Sequence, residues 1–358
     1  MYLEYFKLKE LPFRLTPDSE FLYMSGAHSR AKAYMDYSVW NREGFVVITG
    51  EIGCGKTTLI QKLLSELDEN VLVAKIFQTQ LDEVEFLQAV LVEFGLNPFN
   101  AKKVELIDML NTFLIDNYFQ LKQLVLIVDD AHNLSLKVLE EIRMLSGLET
   151  RKEKVLHVIL VGQPALSEML DTPEMEQLVQ RVRLRYHIKS LSDADMRDYI
   201  HHRLRIAGAV DPEGLFAQDT FPIIYKYTGG LPRLINTLCD TAMTVAFADN
   251  VRSVSLSVLN SAIEELQWLP YAKRVNKRRA GIGTPGRAEM EALLHENTQA
   301  LVNLDRQFHR MDSMAPALTS LTSRMSNIES HLKRIADFLD SMQFDAEAAR
   351  KKYIKQEK

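Results

Sequence analysis

The run Gly50-Glu51-Ile52-Gly53-Cys54-Gly55-Lys56-Thr57 has the spacing G-x-x-x-x-G-K-[ST]. Its chemistry is the cradling of phosphate. Successive backbone N–H groups can converge on phosphate oxygens only where no bulky Cβ substituent crowds the turn, a need that Gly50, Gly53 and Gly55 meet. A helix starting at the end of the loop adds its positive dipole end. Lys56 has the reach for the β- and γ-phosphates, the Thr57 hydroxyl is placed to ligate Mg²⁺, and Thr58 closes the contacting run. A chance glycine-rich turn would lack the flanking strand FVVIT (45–49) and helix TTLIQKLLSEL (57–67), and both are present. Cys54 occupies a variable loop position and reads as a small side chain rather than a redox group.

Such a loop needs an acidic partner at the tip of a neighbouring strand. LVLIVDDAH (124–132) offers Asp129 as a Mg²⁺ ligand, with Asp130 beside it to polarise an attacking water. Asp is one methylene shorter than the Glu common at that place, which predicts either slow hydrolysis or a need for closure by a neighbour. The alternative for Asp130 is a helix N-terminal residue without a catalytic part. VLHVILV (155–161) leads to Gln163, either a γ-phosphate contact or an ordinary turn residue. Arg181, Arg183 and Arg185 alternate in QRVRLRYHI, predicting a basic strand face. It is either merely solvated or supplies a finger to a phosphate on the adjacent subunit, with Arg181 ahead of Arg183. Arg233 follows Gly230-Leu231-Pro232 in a first helical turn, where a cation is unfavourable unless an anion meets it; a nucleotide phosphate fits.

The elements that position these residues are legible as patterns. The apolar runs 45–49, 71–77, 124–128 and 155–161 read as buried strands, alternating with amphipathic stretches 57–67, 83–94, 104–117 and 136–145. That alternation predicts a three-layer α/β domain with a parallel sheet. From about Ser192 the pattern is helical only: 193–207, 219–227, 231–248 and 255–266. Residues 271–287 hold six Lys or Arg, no acid, three Gly and one Pro, and read as an exposed linker. Beyond it Met314, Leu318, Leu321, Met325, Ile328, Leu332, Ile335, Leu339 and Met342 step by 4,3, a coiled-coil or bundle seam. An upstream arm from Leu301 to Met311 falls out of phase beside Pro316. The expected division is 1–190 α/β nucleotide-binding domain, 191–270 helical lid, 271–288 basic linker, 289–345 heptad segment and 346–358 charged tail. The seam predicts self-association or docking to a coiled partner; folding back on the body is the plainer alternative.

Composition narrows the classes further. Of 358 residues 46% are hydrophobic and 25% charged, the balance of a water-soluble globular chain. Cys54 and Cys239 are the only cysteines, which excludes a disulfide framework. The longest nearly uncharged apolar stretch, 155–166, is too short for a membrane span, and no signal peptide is visible. A cytoplasmic protein is expected, at most peripheral at the inner membrane face. The net charge of −5 divides into +5 for 271–358 and −10 for the rest, so an anionic partner should meet the C-terminal part.

Taken together, the chain resembles the AAA+ superfamily and, within it, the ExeA-type ATPases of general secretion and of exopolysaccharide or exosortase loci. The resemblance covers 1 to about 268, in the blocks FKLKELPFRLTPDSEFLYMS, GEIGCGKTT, VDDAHNLSLKVLEEIRMLSGLET, VGQPAL, QRVRLRYHIKSL and GGLPRLINTLCD. It implies an ATP-hydrolysing, oligomeric protein using ATP and Mg²⁺, with Gln163 as sensor 1, Arg233 as sensor 2 and Arg181 as the finger. It also implies Pro12 and Phe13 beside the adenine, where the bottom-up alternative is N-terminal core packing. The partners it implies are envelope secretion or polysaccharide-export proteins. Two departures stand out: Asp129-Asp130-Ala131-His132 where the family has Asp-Glu-Ala-Gln, and Ala165 where Glu follows Pro164. The membrane span and peptidoglycan-binding region of the family's namesake are not seen after 268. Two other readings compete: a nucleic-acid loader or transposition regulator, supported by the basic stretch 273–287, and a nucleotide-gated scaffold with little turnover.

Overall fold

The computed structural model describes residues 2–41, 44–149 and 153–282. The heptad segment and charged tail lie outside the described residues. The chain divides into two units, Met1–Asn276 and Lys277–Lys358, and the described elements lie in the first except for residues 277–282 at the end of one helix.

Five strands form one sheet: β1 (Phe45–Gly50), β2 (Val71–Ile76), β3 (Gln123–Val128), β4 (Leu156–Gly162) and β5 (Leu184–Ile188). Every pairing is parallel and the order is β2-β3-β4-β1-β5. The continuous apolar runs predict burial on both faces, and the central strands show it: all residues of β1 and β4 are buried. Side chains alternate across the pleat. Val46, Ile48, Val125, Ile127, Ile159 and Val161 pack on one face against helices Gly26–Trp40 and Lys56–Leu64. Phe45, Val47, Leu124, Leu126, Val158 and Leu160 face helices Glu83–Glu93, Lys103–Phe119 and Leu136–Leu145. The edge strand β2 is only half-buried, unlike the buried strand its apolar run suggests.

This order decides where chemistry can happen. β4 lies between β1 and β3, with Thr49 in register with Gly162 and Val128 with Leu160. The carboxyl ends of three strands therefore present, side by side, the 50–57 loop, Gln163 and the Asp129–Asp130 pair. Ligands in open parallel sheets sit at such strand ends.

A second core belongs to helices Asp193–Ile206, Phe221–Thr228, Pro232–Ala248 and Leu256–Glu265. Phe6, Leu8, Phe13 and Phe21 are part of it, so the first residues of the chain pack with the helical layer rather than the sheet. Tyr2 donates from its hydroxyl to Asp240 Oδ1 (2.6 Å), and the Lys9 N–H donates to the Ala207 carbonyl (2.8 Å). The N-terminal segment, expected within the 1–190 nucleotide-binding domain, thus bonds to the helical layer across roughly 200 residues of sequence or more, which no local pattern announces.

Two further expectations change. The linker at 271–288 starts as a helix, Tyr271–Ile282, because its first turn has partners: Arg274 donates to the Tyr227 carbonyl and lies 4.4 Å over the Trp268 ring. The alternating arginines do not form a strand face either. Arg181 and Arg183 precede β5 and only Arg185 lies within it, donating to Asp171 (2.7 Å). No helix among the described residues is long and apolar enough to cross a membrane.

Candidate functional site

A cleft of about 370 Å³ opens between the strand ends, the helical layer and residues Arg14–Asp18. Gly53, Gly55, Lys56, Thr57, Thr58, Asp130, Gln163 and Arg233 line it. Residues from four separate stretches of sequence thus meet at one place.

The loop turns through Gly53 (φ +79°) and Gly55 (φ +98°), a region that side chains with a Cβ rarely enter. Cys54 packs its thiol beneath the end of β1, and burial pushes that thiol up from its ordinary value. Donors to the loop carbonyls hold the turn. Gly50 and Glu51 accept from Lys56 Nζ at 2.9 and 3.0 Å. Gly53 accepts from the Arg233 backbone N–H at 3.1 Å, and Gly55 from Leu59 N–H at 3.0 Å. Cys54 accepts from His28 Nε2 at 2.8 Å.

Lys56 is 8% exposed and, among the described residues, makes no ion pair. A buried ammonium held by neutral carbonyls is poised for an anion. Opposite it, Thr57 donates its hydroxyl to Asp129 Oδ2 at 2.7 Å. Asp129 is buried at the tip of β3; desolvation pushes its carboxyl above the ordinary range, against the Thr57 hydroxyl and the Asp130 N–H that favour the ionised form. A hydroxyl and a buried carboxylate in contact are donors suited to a hard divalent cation. These two side chains fit Mg²⁺, which Thr57 and Asp129 would hold.

Asp130 stands in the left-handed region (φ 50°, ψ 35°). That turn takes its side chain off the strand line and into the cleft, where the carboxylate is 57% exposed. His132 Nδ1 comes within 3.9 Å of it, and burial pushes that imidazole down. Gln163, extended at the tip of β4, precedes helix Pro164–Leu170 and faces the cleft between loop and acids.

Arg233, at the first turn of helix Pro232–Ala248, lies against the loop: a Cβ on Gly53 would stand 2.4 Å from Arg233 Cβ. Gly53→Ala therefore meets both a left-handed φ and a clash. We expect it to lower the melting temperature by roughly 3–10 °C, from about 1–3 kcal/mol of strain. An unchanged melting curve would show that the helical layer does not rest on the loop.

Arg181 is not in the cleft. Its Nη1 donates to the Arg143 carbonyl (2.7 Å) and to Ser146 Oγ (3.2 Å), at the carboxyl end of helix Leu136–Leu145. Pro12 and Phe13 are not there either. Phe13 is fully buried against Phe216, edge to face, while the Pro12 carbonyl accepts from Arg203 Nε. The cleft wall is instead the next five residues, Arg14–Asp18, fixed from behind: Asn236 Nδ2 donates to the Arg14 carbonyl (3.2 Å), and the Tyr199 hydroxyl donates to Asn236 Oδ1 (2.6 Å).

Sequence reasoning missed His28. Its ring touches the loop from helix Gly26–Trp40, and Ser25 Oγ lies 2.7 Å from Nδ1. A buried histidine 22 residues before the loop, with no motif around it, gives no signal in one sequence.

Residues 40–170 match the AAA domain family. Over 250 residues the chain is 40% identical to general secretion pathway protein A of Aeromonas hydrophila, a match covering 69% of this chain and 45% of that protein. The chain thus spans less than half the length of that relative. Among solved structures, the ORC2 protein of Aeropyrum pernix in its ADPNP–ADP complexes is similar at 18% identity and TM-score 0.55, covering 73% of this chain and 72% of that one. Cdc6p from Pyrobaculum aerophilum is similar at 17% identity and TM-score 0.54, over 70% and 71%. Drosophila ORC bound to DNA is similar at 15% identity and TM-score 0.54, over 74% and 66%. At these identities the likeness concerns the fold alone.

Proposed function

We propose that this chain, which matches the AAA domain family over residues 40–170 and is similar to general secretion pathway protein A, binds ATP with Mg²⁺ and hydrolyses it to energise or regulate assembly of an envelope export system. The observation that carries the reading is the meeting of Lys56, Thr57, Asp129, Asp130, Gln163 and Arg233 around one cleft. The loop N–H groups and Lys56 hold the triphosphate. Asp129 and Thr57 would hold the metal, which would supply charge neutralisation. Asp130 accepts a proton from the attacking water, Gln163 reads the γ-phosphate, and Arg233 carries the nucleotide state into the helical layer. Catalysis of this kind rests on positioning and charge stabilisation.

ATP would sit between subunits, with Arg181 or Arg183 offered by the neighbour. For Arg181 that requires release from Arg143 and Ser146. The heptad segment 289–345 would add self-association or a coiled partner, and the export partner is a secretion or polysaccharide-export protein. The test is a titration of the purified chain with ATP and Mg²⁺, phosphate release, and mass by light scattering with and without nucleotide. Saturable millimolar-or-tighter binding, turnover and a nucleotide-dependent rise in mass are expected. Failure to bind ATP with Mg²⁺ would sink the reading, and binding to DNA that weakens steeply with salt would favour a nucleic-acid loader instead.

A further inference from the structure

From the hydrogen bonds around the phosphate loop we infer that His28 is a positioning residue for nucleotide binding: its Nε2–H, held through Ser25, fixes the Cys54 carbonyl so that the loop's N–H groups stay turned into the cleft. The inference rests on the ATP-binding reading above and deepens it.

A phosphate-cradling loop directs its amides inward, so its carbonyls point outward and need donors from elsewhere. Two of them, Gly50 and Glu51, are satisfied by Lys56, the same ammonium proposed to contact the phosphates. Those bonds are available to hold the loop only while Lys56 is not otherwise engaged. The Cys54 carbonyl depends on nothing in the site: its donor belongs to helix Gly26–Trp40, which is packed on the sheet through Ala31, Met35 and Val39.

The tautomer follows from the partners. A carbonyl only accepts, so Nε2 carries the proton. Nδ1 is then an acceptor, and the Ser25 hydroxyl donates to it at 2.7 Å. Ser25 Oγ in turn accepts the His28 backbone N–H at 3.4 Å as the cap of the helix. His28 is 3% exposed, and a Cβ on Gly55 would come within 3.1 Å of Nε2. The imidazole thus sits directly against the left-handed glycine that starts the phosphate-facing helix.

Two near-isosteres separate this role from simple packing. The Gln side-chain nitrogen reaches the place of Nε2, whereas that of Asn reaches only the place of Nδ1. His28→Gln keeps a donor for Cys54, and His28→Asn keeps the helix start but leaves the carbonyl bare. Binding of a fluorescent ATP analogue with Mg²⁺ is measured for wild type and both variants, alongside melting curves without nucleotide. We expect about a tenfold or greater loss of affinity for His28→Asn and less than about threefold for His28→Gln. Equal affinities in all three, or equal losses in the two variants, overturn the inference while leaving ATP binding intact. A wild type that does not bind overturns the proposed function itself. Should His28→Asn not fold, Ser25→Ala frees the ring at Nδ1 and is expected to weaken binding about threefold; no change there overturns the inference.

Discussion

Lys56→Ala is expected to weaken binding of ATP with Mg²⁺ by about a hundredfold or more and to reduce phosphate release to background. Two charge-assisted contacts at about 1.5–3 kcal/mol each set that scale, at 1.4 kcal/mol per tenfold. The structure adds a consequence for the free protein. Lys56 Nζ donates to the Gly50 and Glu51 carbonyls, so truncation removes both donors at once. Glu51 keeps the Cys54 N–H at 3.2 Å. The nucleotide-free variant should therefore melt a few degrees lower, from about 1–3 kcal/mol for an unsatisfied buried acceptor. Isothermal titration and melting curves on one preparation separate the two effects. Wild-type affinity in Lys56→Ala would remove the phosphate-cradling role of the loop.

Asp130→Asn should divide binding from turnover. Asn is isosteric with Asp and tolerates the left-handed backbone at φ 50° as well as Asp does. The backbone N–H at 130 can still donate to Asp129 Oδ1, so the contact of Asp129 with the Thr57 hydroxyl is undisturbed. What is lost is the proton-accepting carboxylate. Single-turnover hydrolysis should fall by about 10²–10⁴-fold, the range of a general base, with nucleotide affinity within about threefold of wild type. Equal and near-zero rates in wild type and variant would favour the nucleotide-gated scaffold. Loss of affinity would instead mean that Asp130 shares the metal with Asp129.

The parts of the site that a single sequence discloses are those whose chemistry is local. The 50–57 loop needs glycines at fixed offsets between a strand and a helix, and both lie adjacent in sequence. Asp129 follows a five-residue apolar strand, and the tip of a buried strand is where a functional carboxylate is tolerated. Gln163 is legible for the same reason, and the parallel order adds why it lies between loop and acids. What stays hidden is held by distant partners. Arg203 reaches the Pro12 carbonyl across 191 residues, which turns Phe13 into core and leaves Arg14–Asp18 as the cleft wall. Arg181 alternates with Arg183 and Arg185 in sequence, but a helix end takes its guanidinium. The helix at 271–282 reads as linker from its charge and from Gly281, because its anchoring contact with the Tyr227 carbonyl is tertiary.

Both thiols of the chain are sealed away: Cys54 is 1% and Cys239 0% exposed, and burial raises each above the ordinary thiol range. Maleimide dyes should leave the folded wild type unlabelled. A spectroscopic pair introduced at two surface positions, one on helix Leu256–Glu265 and one on helix Lys103–Phe119, would then report inter-layer distance without stripping native residues from the loop.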